Sequence, residues 1–251
     1  MTFWYNLTIG PYKEYRAMKI KFVIAILFFI FTIFSLAGNM NKQHTQMIVV
    51  SSSNYSSSDA KLQRYIFADS KWQKVGQEID IKIGKNGMGW GLGLHKTPTD
   101  AAIIKKEGDG KSPIGIFALG NAFGYEPYEA KYPYSVMNEK YHCVDDIHSK
   151  WYNQIIDSTK VAKDYDSHEV MKFKANYYRY GIVVKHNPNN IPSRGSCIFI
   201  HIKDIPTTGC DAMSEEQIKE IIQWLDANAN PVLVQAPQSE IEGLMKQLEN
   251  L

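Results

Sequence analysis

Beyond residue 46 the apolar positions of this chain come in short bursts separated by polar turns. Met47–Val50 is a small β-branched run followed by a serine-rich loop, residues 51–58. Lys61–Ala68 and Glu78–Gly84 are predicted strands. In the second, Ile79, Ile81 and Ile83 alternate with Asp80 and Lys82, the period-two signature of a half-buried strand. Asn86-Gly87 marks a turn. Gly89, Gly91 and Gly93 then interleave with Trp90, Leu92 and Leu94. With no GK[ST] ending and no helical pattern after it, this stretch predicts strand and turn rather than a phosphate loop. EGDGKSPIGIFALG, residues 107–120, predicts a turn leading into a strand over Ile114–Leu119. Residues 121–175 are rich in Tyr, Pro and Asp with weak periodicity. They predict a long, mostly irregular insertion with short helices, the kind of segment that covers a site.

Tyr180–Lys185 and Ser196–Ile202 predict two further strands. Past Cys210 the period lengthens. Ser214 with Gln217 has capping-box spacing, and Ile218, Ile221, Ile222 and Leu225 follow at helical intervals. Pro231–Gln235 predicts a closing strand. Residues 237–251 predict a terminal helix with Ile241, Leu244, Met245 and Leu248 on one face. No internal repeat or linker interrupts the chain after residue 46, so the pattern predicts one mainly-β domain with one well-signalled helix.

The N-terminal pattern differs. Lys19 and Lys21 precede an apolar run, Phe22–Leu36, broken by Thr32 and Ser35, and Ser35-Leu36-Ala37 offers small residues for a signal peptidase. Residues 1–37 read as a signal-peptide region, with Met18 as an alternative start, and residues 38–45 as a spacer. The run is short for a membrane span of about 20 residues, which favours cleavage near Ala37 over an uncleaved anchor. Export would place the chain in the periplasm or on the cell-wall side of the membrane. The composition is that of a globular protein, 44% hydrophobic and 22% charged. A net charge of +2 without a Lys/Arg block gives no basis for nucleic-acid binding.

Three cysteines are present: Cys143, Cys197 and Cys210. Export permits a Cys143–Cys197 disulfide. The setting of Cys197, inside the apolar run Cys197–Ile200, instead favours a buried inert thiol. His201 ends a predicted strand, and Cys210 stands just before a predicted helix, where the positive helix end would stabilise a thiolate. Histidine can take the thiol proton and return it to a leaving amine. Gly209 lets the backbone bend so that its own amide and that of Cys210 could face one oxyanion. Taken alone, a Cys and a His nine residues apart leave a buried thiol, a nucleophile and a zinc ligand (with His186 or His142) all open. Zinc is the weakest of these, because no CxxC or HxxxH pair is present.

SCIFIHIKDIPTTGCDAMSEEQIKEIIQWLD, however, resembles the catalytic end of the L,D-transpeptidase (YkuD-type) family, in the branch reading GSCIFLH, then PT-x-GC, then a capped helix. KWQKVGQEIDIKIGKNGMGWG is similar to that branch's strand pair and GxNGxxWG turn, and KKEGDGKSPIGIFALGNAFGY to its EGDGxTPxGxF segment. CVDDIHSKWYNQIID and RYGIVVKHN match its middle blocks. The likeness spans residues 46–236. It implies a β-sandwich-like fold with a helix after the catalytic cysteine loop, and a cysteine acyltransferase acting on peptidoglycan stem peptides. Cys210 would be the nucleophile, His201 its base and Gly209 part of the oxyanion turn. No metal or other cofactor is implied, and a monomer is expected. The acyl group would pass to an amine, giving a 3–3 crosslink, or to water, giving L,D-carboxypeptidase or endopeptidase activity. A catalytically silent wall-binding protein of the same fold is the remaining alternative.

The chain departs from the better-known [ST]HGC pattern: Thr208 stands where a second histidine would be, and Asp211-Ala212-Met213 follows the cysteine without an arginine. Thr208, His186, Arg194 and Lys185 are therefore the candidates for substrate contact. Asp145 and Asp146 could meet an ammonium group, although capping or turn roles fit them better. Trp90, Trp151 and Tyr152 could line a groove or pack in the core.

Overall fold

The structure, a computed structural model, describes residues 43–251. The expected signal region and residues 38–42 of the spacer lie outside the described residues. Among the described residues, no helix is long and apolar enough to cross a membrane.

The strands are β1 (Gln46–Ser52), β2 (Asp59–Ala68), β3 (Lys71–Lys82), β4 (Met88–Trp90), β5 (Ser112–Gly124), β6 (Tyr134–Val136), β7 (Tyr141–Val144), β8 (Ile155–Asp157), β9 (His168–Val170), β10 (Tyr180–Val184), β11 (Phe199–Ile202), β12 (Asp211–Met213) and β13 (Val232–Pro237). Two helices follow the cysteine loop, α1 (Glu215–Trp224) and α2 (Gln238–Leu248). The fold is mainly β, as the pattern predicts.

The main sheet runs β10-β11-β12-β3-β2-β1-β13-β5, and β10 pairs again with β5, so the sheet closes on itself. Closure removes the exposed edges that would otherwise invite association. β4 and β6 are added at β5. Mixed pairing follows from the connections. The β2–β3 hairpin is antiparallel, turning through Asp69 and Ser70 with φ of 52° and 59°. β1 and β13, from opposite ends of the domain, pair in parallel.

Met47–Val50 is buried on both faces, which accounts for its unbroken apolar run. Ile79, Ile81 and Ile83 all point inward while Asp80 is exposed. In α1 the Ser214–Gln217 capping box forms in both directions, and Ile218, Ile221 and Ile222 are fully buried against the sheet. α2 buries Leu244 and Leu248, with Ile241 and Met245 packed at the margin.

Two expectations change. The insertion over residues 121–175 contains no helix; its ordered parts are β6 and a separate sheet in the order β8-β7-β9. β6, β8 and β9 have only three residues each, too few for a period to show. Cys197 is not an inert thiol but is disulfide-bonded to Cys143, with Cα atoms 6.0 Å apart. The bond ties β7 of the small sheet to the strand entering the cysteine loop.

Candidate active site

Cys210 lies one residue before β12, which runs parallel to β11 with His201 opposite Ala212. This register sets Asp211 opposite Ile200 and brings Cys210, just before β12, alongside the start of β11. The thiol has two backbone partners: it accepts from the Phe199 N–H at 3.3 Å and donates to the Cys197 carbonyl at 3.4 Å. Helix α1 starts beyond an intervening strand, β12, so Cys210 is not at its N-terminus as the pattern suggests. Burial, with the nearby Glu169 carboxylate, pushes the thiol well above its ordinary range. The resting sulfur is therefore a neutral thiol.

His201 is buried, with the Tyr178 ring edge-on at 5.2 Å. Its Nδ1 lies 3.1 Å from the Ile202 carbonyl, which can only accept. Nδ1 therefore carries the hydrogen and Nε2 the free lone pair. Burial lowers the imidazole to about 4, so it is neutral and able to receive a proton at ordinary pH.

The loop before the cysteine is pinned by hydroxyls. Thr207 is buried; its Oγ1 donates to the Cys210 carbonyl at 2.6 Å and accepts from the Gly209 N–H at 3.1 Å. Ser112, at the start of β5, donates to the Gly209 carbonyl at 2.8 Å. Gly209 has φ +152°, and a Cβ there would sit 3.0 Å from the Lys111 carbonyl oxygen, so glycine suits the position. Because Thr207 takes the Gly209 N–H, the Gly209 amide is already engaged.

Cys210 opens onto a cavity of about 150 Å³ whose wall includes Lys105, Glu107, Asp145, Glu169, Thr208 and Gly209. Lys105 is buried and paired with Asp109 at 2.5 Å. Glu107 accepts from the Tyr152 hydroxyl and from Ser196 Oγ at 2.7 Å. Glu169 accepts from the Tyr178 hydroxyl. A larger cavity of about 700 Å³ lies alongside, lined by Val183–His186, Asn153, Asn190 and the Cys143–Cys197 pair. The two cavities share Cys197 and Ile198.

Cys210, Gly209 and Thr208 thus come together at the small cavity, and His201 lies on β11, the strand paired with β12. His186 and Lys185 line the larger one. His186 is buried: Nε2 donates to the Arg194 carbonyl at 2.9 Å and Nδ1 accepts from the Leu92 N–H at 3.3 Å. With burial lowering it to about 4 and both nitrogens used, His186 braces the turn at Arg194 and has no lone pair for a metal. Lys185 is exposed, and Arg194 is half-buried on its turn. Asp146 caps the turn through the His148 and Asp166 N–H groups. Trp90 and Tyr152 are core residues, and Trp151 packs half-buried beside Val144, Ile156 and Tyr165.

Thr207, Ser112, Lys105, Glu107, Glu169 and Tyr178 were not singled out by sequence reasoning. Glu107 lies inside the EGDG segment, which offered a signal. Glu169 lies on a three-residue strand, which offered none.

No curated protein matches the chain. Two solved structures do: the helical cell shape determining protein Pgp2 from Campylobacter jejuni, and a single-substitution mutant of it. Each is 16% identical with a TM-score of 0.39 over 82% of this chain. The chain spans 55% and 54% of the length of those two. The family model for the L,D-transpeptidase catalytic domain, YkuD, matches residues 48–234, which is most of the chain and all of the site described above, and the chain therefore belongs to that family.

Proposed function

We propose that this protein is an exported cysteine acyltransferase acting on peptidoglycan stem peptides. The observation that carries the reading is the thiol of Cys210 at the wall of a cavity, just before the strand that pairs with the one bearing a neutral His201, whose free lone pair is on Nε2. The Lys19–Ala37 signal pattern supports export, to the periplasm or wall side.

In the first half-reaction the thiol leaves the Cys197 carbonyl as substrate enters and gives its proton to His201 Nε2 while sulfur attacks the peptide carbonyl. A neutral thiol and a neutral imidazole favour transfer coupled to attack over a standing ion pair. The Cys210 N–H is the backbone donor for the developing oxyanion, held by the Thr207 bond to the same residue. The imidazolium then protonates the leaving amine, D-alanine, and a thioester remains. The small cavity is below the usual size of a ligand pocket, so it takes the reacting end while the rest of the stem peptide lies in the larger groove. There Lys185 meets a carboxylate. Thr208, exposed at the mouth, contacts the entering acceptor, and Arg194 shapes the groove through its turn.

The test is incubation of mature protein with tetrapeptide muropeptides, followed by mass analysis. Crosslinked dimers identify a transpeptidase, and tripeptide with free D-alanine identifies a carboxypeptidase. Cys210→Ala abolishes either product. If neither product forms and a carbapenem leaves no adduct on a demonstrably free Cys210, the reading fails and a silent wall-binding role takes its place.

A further inference from the structure

Glu169 is a titratable group that the first half-reaction leaves unused. It stands on β9 directly opposite Cys143 of β7, and Cys143 is bonded to the Cys197 whose carbonyl holds the nucleophile. A covalent and hydrogen-bonded path thus fixes the carboxylate relative to the sulfur. Both line the same cavity of about 150 Å³. The Tyr178 hydroxyl donates to Glu169 Oε2, and the Tyr178 ring packs at 5.2 Å from His201 and 5.5 Å from Phe199. His201 is not part of the wall of this cavity, whereas Glu169 is, where an incoming acceptor would meet it.

We propose that Glu169 is a catalytic residue of the second half-reaction, the base that deprotonates the acceptor attacking the Cys210 thioester. This rests on the acyl-enzyme reading above. With water as acceptor, an O–H bond breaks as the new C–O bond forms, and the proton passes to the Glu169 carboxylate. The tetrahedral intermediate then expels sulfur, and the thiolate takes the proton from Glu169. Thioester and water become carboxylic acid and thiol, with the carboxylate restored. An amine acceptor follows the same course, losing an N–H proton and forming an amide.

The surroundings suit the role. Burial, together with the facing carboxylates Asp145 and Glu107, raises Glu169 to about 7, against the opposing pull of the Tyr178 hydroxyl and Lys203. A base whose proton affinity lies near working pH is the most effective kind. The Cys210 thiol also faces it, and its own proton affinity is raised by Glu169.

The test is single-turnover kinetics on tetrapeptide muropeptides from pH 5 to 9. Acyl-enzyme is followed by intact mass and product release by chromatography. In Glu169→Gln, acylation proceeds, the thioester accumulates, and its breakdown slows about 100-fold or more. The acid limb of deacylation near pH 7 disappears. In Tyr178→Phe, loss of the hydroxyl moves that limb to higher pH while acylation persists. The Tyr178→Phe profile decides the matter if Glu169→Gln does not fold. Unchanged breakdown in Glu169→Gln, equal slowing of both halves, or an unmoved limb in Tyr178→Phe overturns the assignment but leaves the acyl-enzyme standing. Absence of any adduct in the parent protein overturns both.

Discussion

The Cys210 thiol donates to the carbonyl of Cys197 at 3.4 Å, and Cys197 holds a left-handed φ of 54°. A non-glycine residue in that region is costly unless its surroundings fix it. Here the Asn153 side chain accepts from the Cys197 N–H at 2.9 Å, and the disulfide holds its side chain.

The disulfide therefore has both a stability role and a positioning role. It closes a loop with a sequence separation of 54, for which chain entropy gives about 4 kcal/mol and engineered or native bonds usually about 2–4. Cys143→Ser is expected to lower unfolding free energy by about 2–4 kcal/mol in denaturant melts. It also slows acylation of Cys210 more than it weakens substrate binding. Unchanged melts would show that the bond contributes nothing to the fold.

Thr207 is the hydroxyl on which the loop geometry depends, because it serves the Cys210 carbonyl and the Gly209 N–H together. Thr207→Val keeps the shape and strands both buried groups, at a cost of about 1–3 kcal/mol. kcat falls with little change in KM, and Thr207→Ser recovers most of it. Thr208, exposed one residue on, should tolerate alanine without loss of stability. Calorimetry and steady-state rates on the three variants separate these outcomes.

Asp211 is fully buried beside Cys210. Its Oδ2 is buried without a hydrogen-bond partner, while hydrogen bonds from Ser112 and Gln235 oppose the effect of burial. Burial raises the group to about 8. The folded state then keeps a proton that the unfolded chain releases near its ordinary value of about 4. Stability is expected to fall as pH rises from about 4 to 8, by up to about 1.4 kcal/mol per unit, and to level off above that. Urea melts across this range should show the slope in the parent and lose its Asp211 component in Asp211→Asn. An identical slope in both proteins would mean that Asp211 is ionised throughout.

What was legible in the sequence followed the length of each pattern. Ile79, Ile81 and Ile83 span enough residues for a period of two to be visible, and α1 announces itself through Ser214, Gln217 and four apolar positions. β12 has three residues, so Asp211–Met213 read as a lead into the helix and Cys210 as a helix-end thiol. The strand between them removes the dipole argument, and burial reverses the direction in which the thiol shifts. Cys210 and His201, the proposed nucleophile and base, could be singled out from SCIFIHIKDIPTTGC. The Glu169 carboxylate beside them could not, because it reaches the cavity through tertiary pairing of β9, a strand too short to carry a signature. The Cys143–Cys197 link was hidden for a related reason: nothing local to either residue reports on a partner so distant along the chain.

β1 lies between β2 and β13, with Met47 paired to Val232 and Ser52 to Pro237. The first strand of the domain thus acquires its second neighbour only when the last strand arrives. While the chain is still being made, its emerging N-terminal half has an open edge and no way to close the sheet. Such long-range pairing slows folding, because the loop entropy is lost before the contact forms. A chain whose sheet closes only with β13 stays open until that strand is available. The sheet that carries the Cys210 loop is complete only once β13 has joined it.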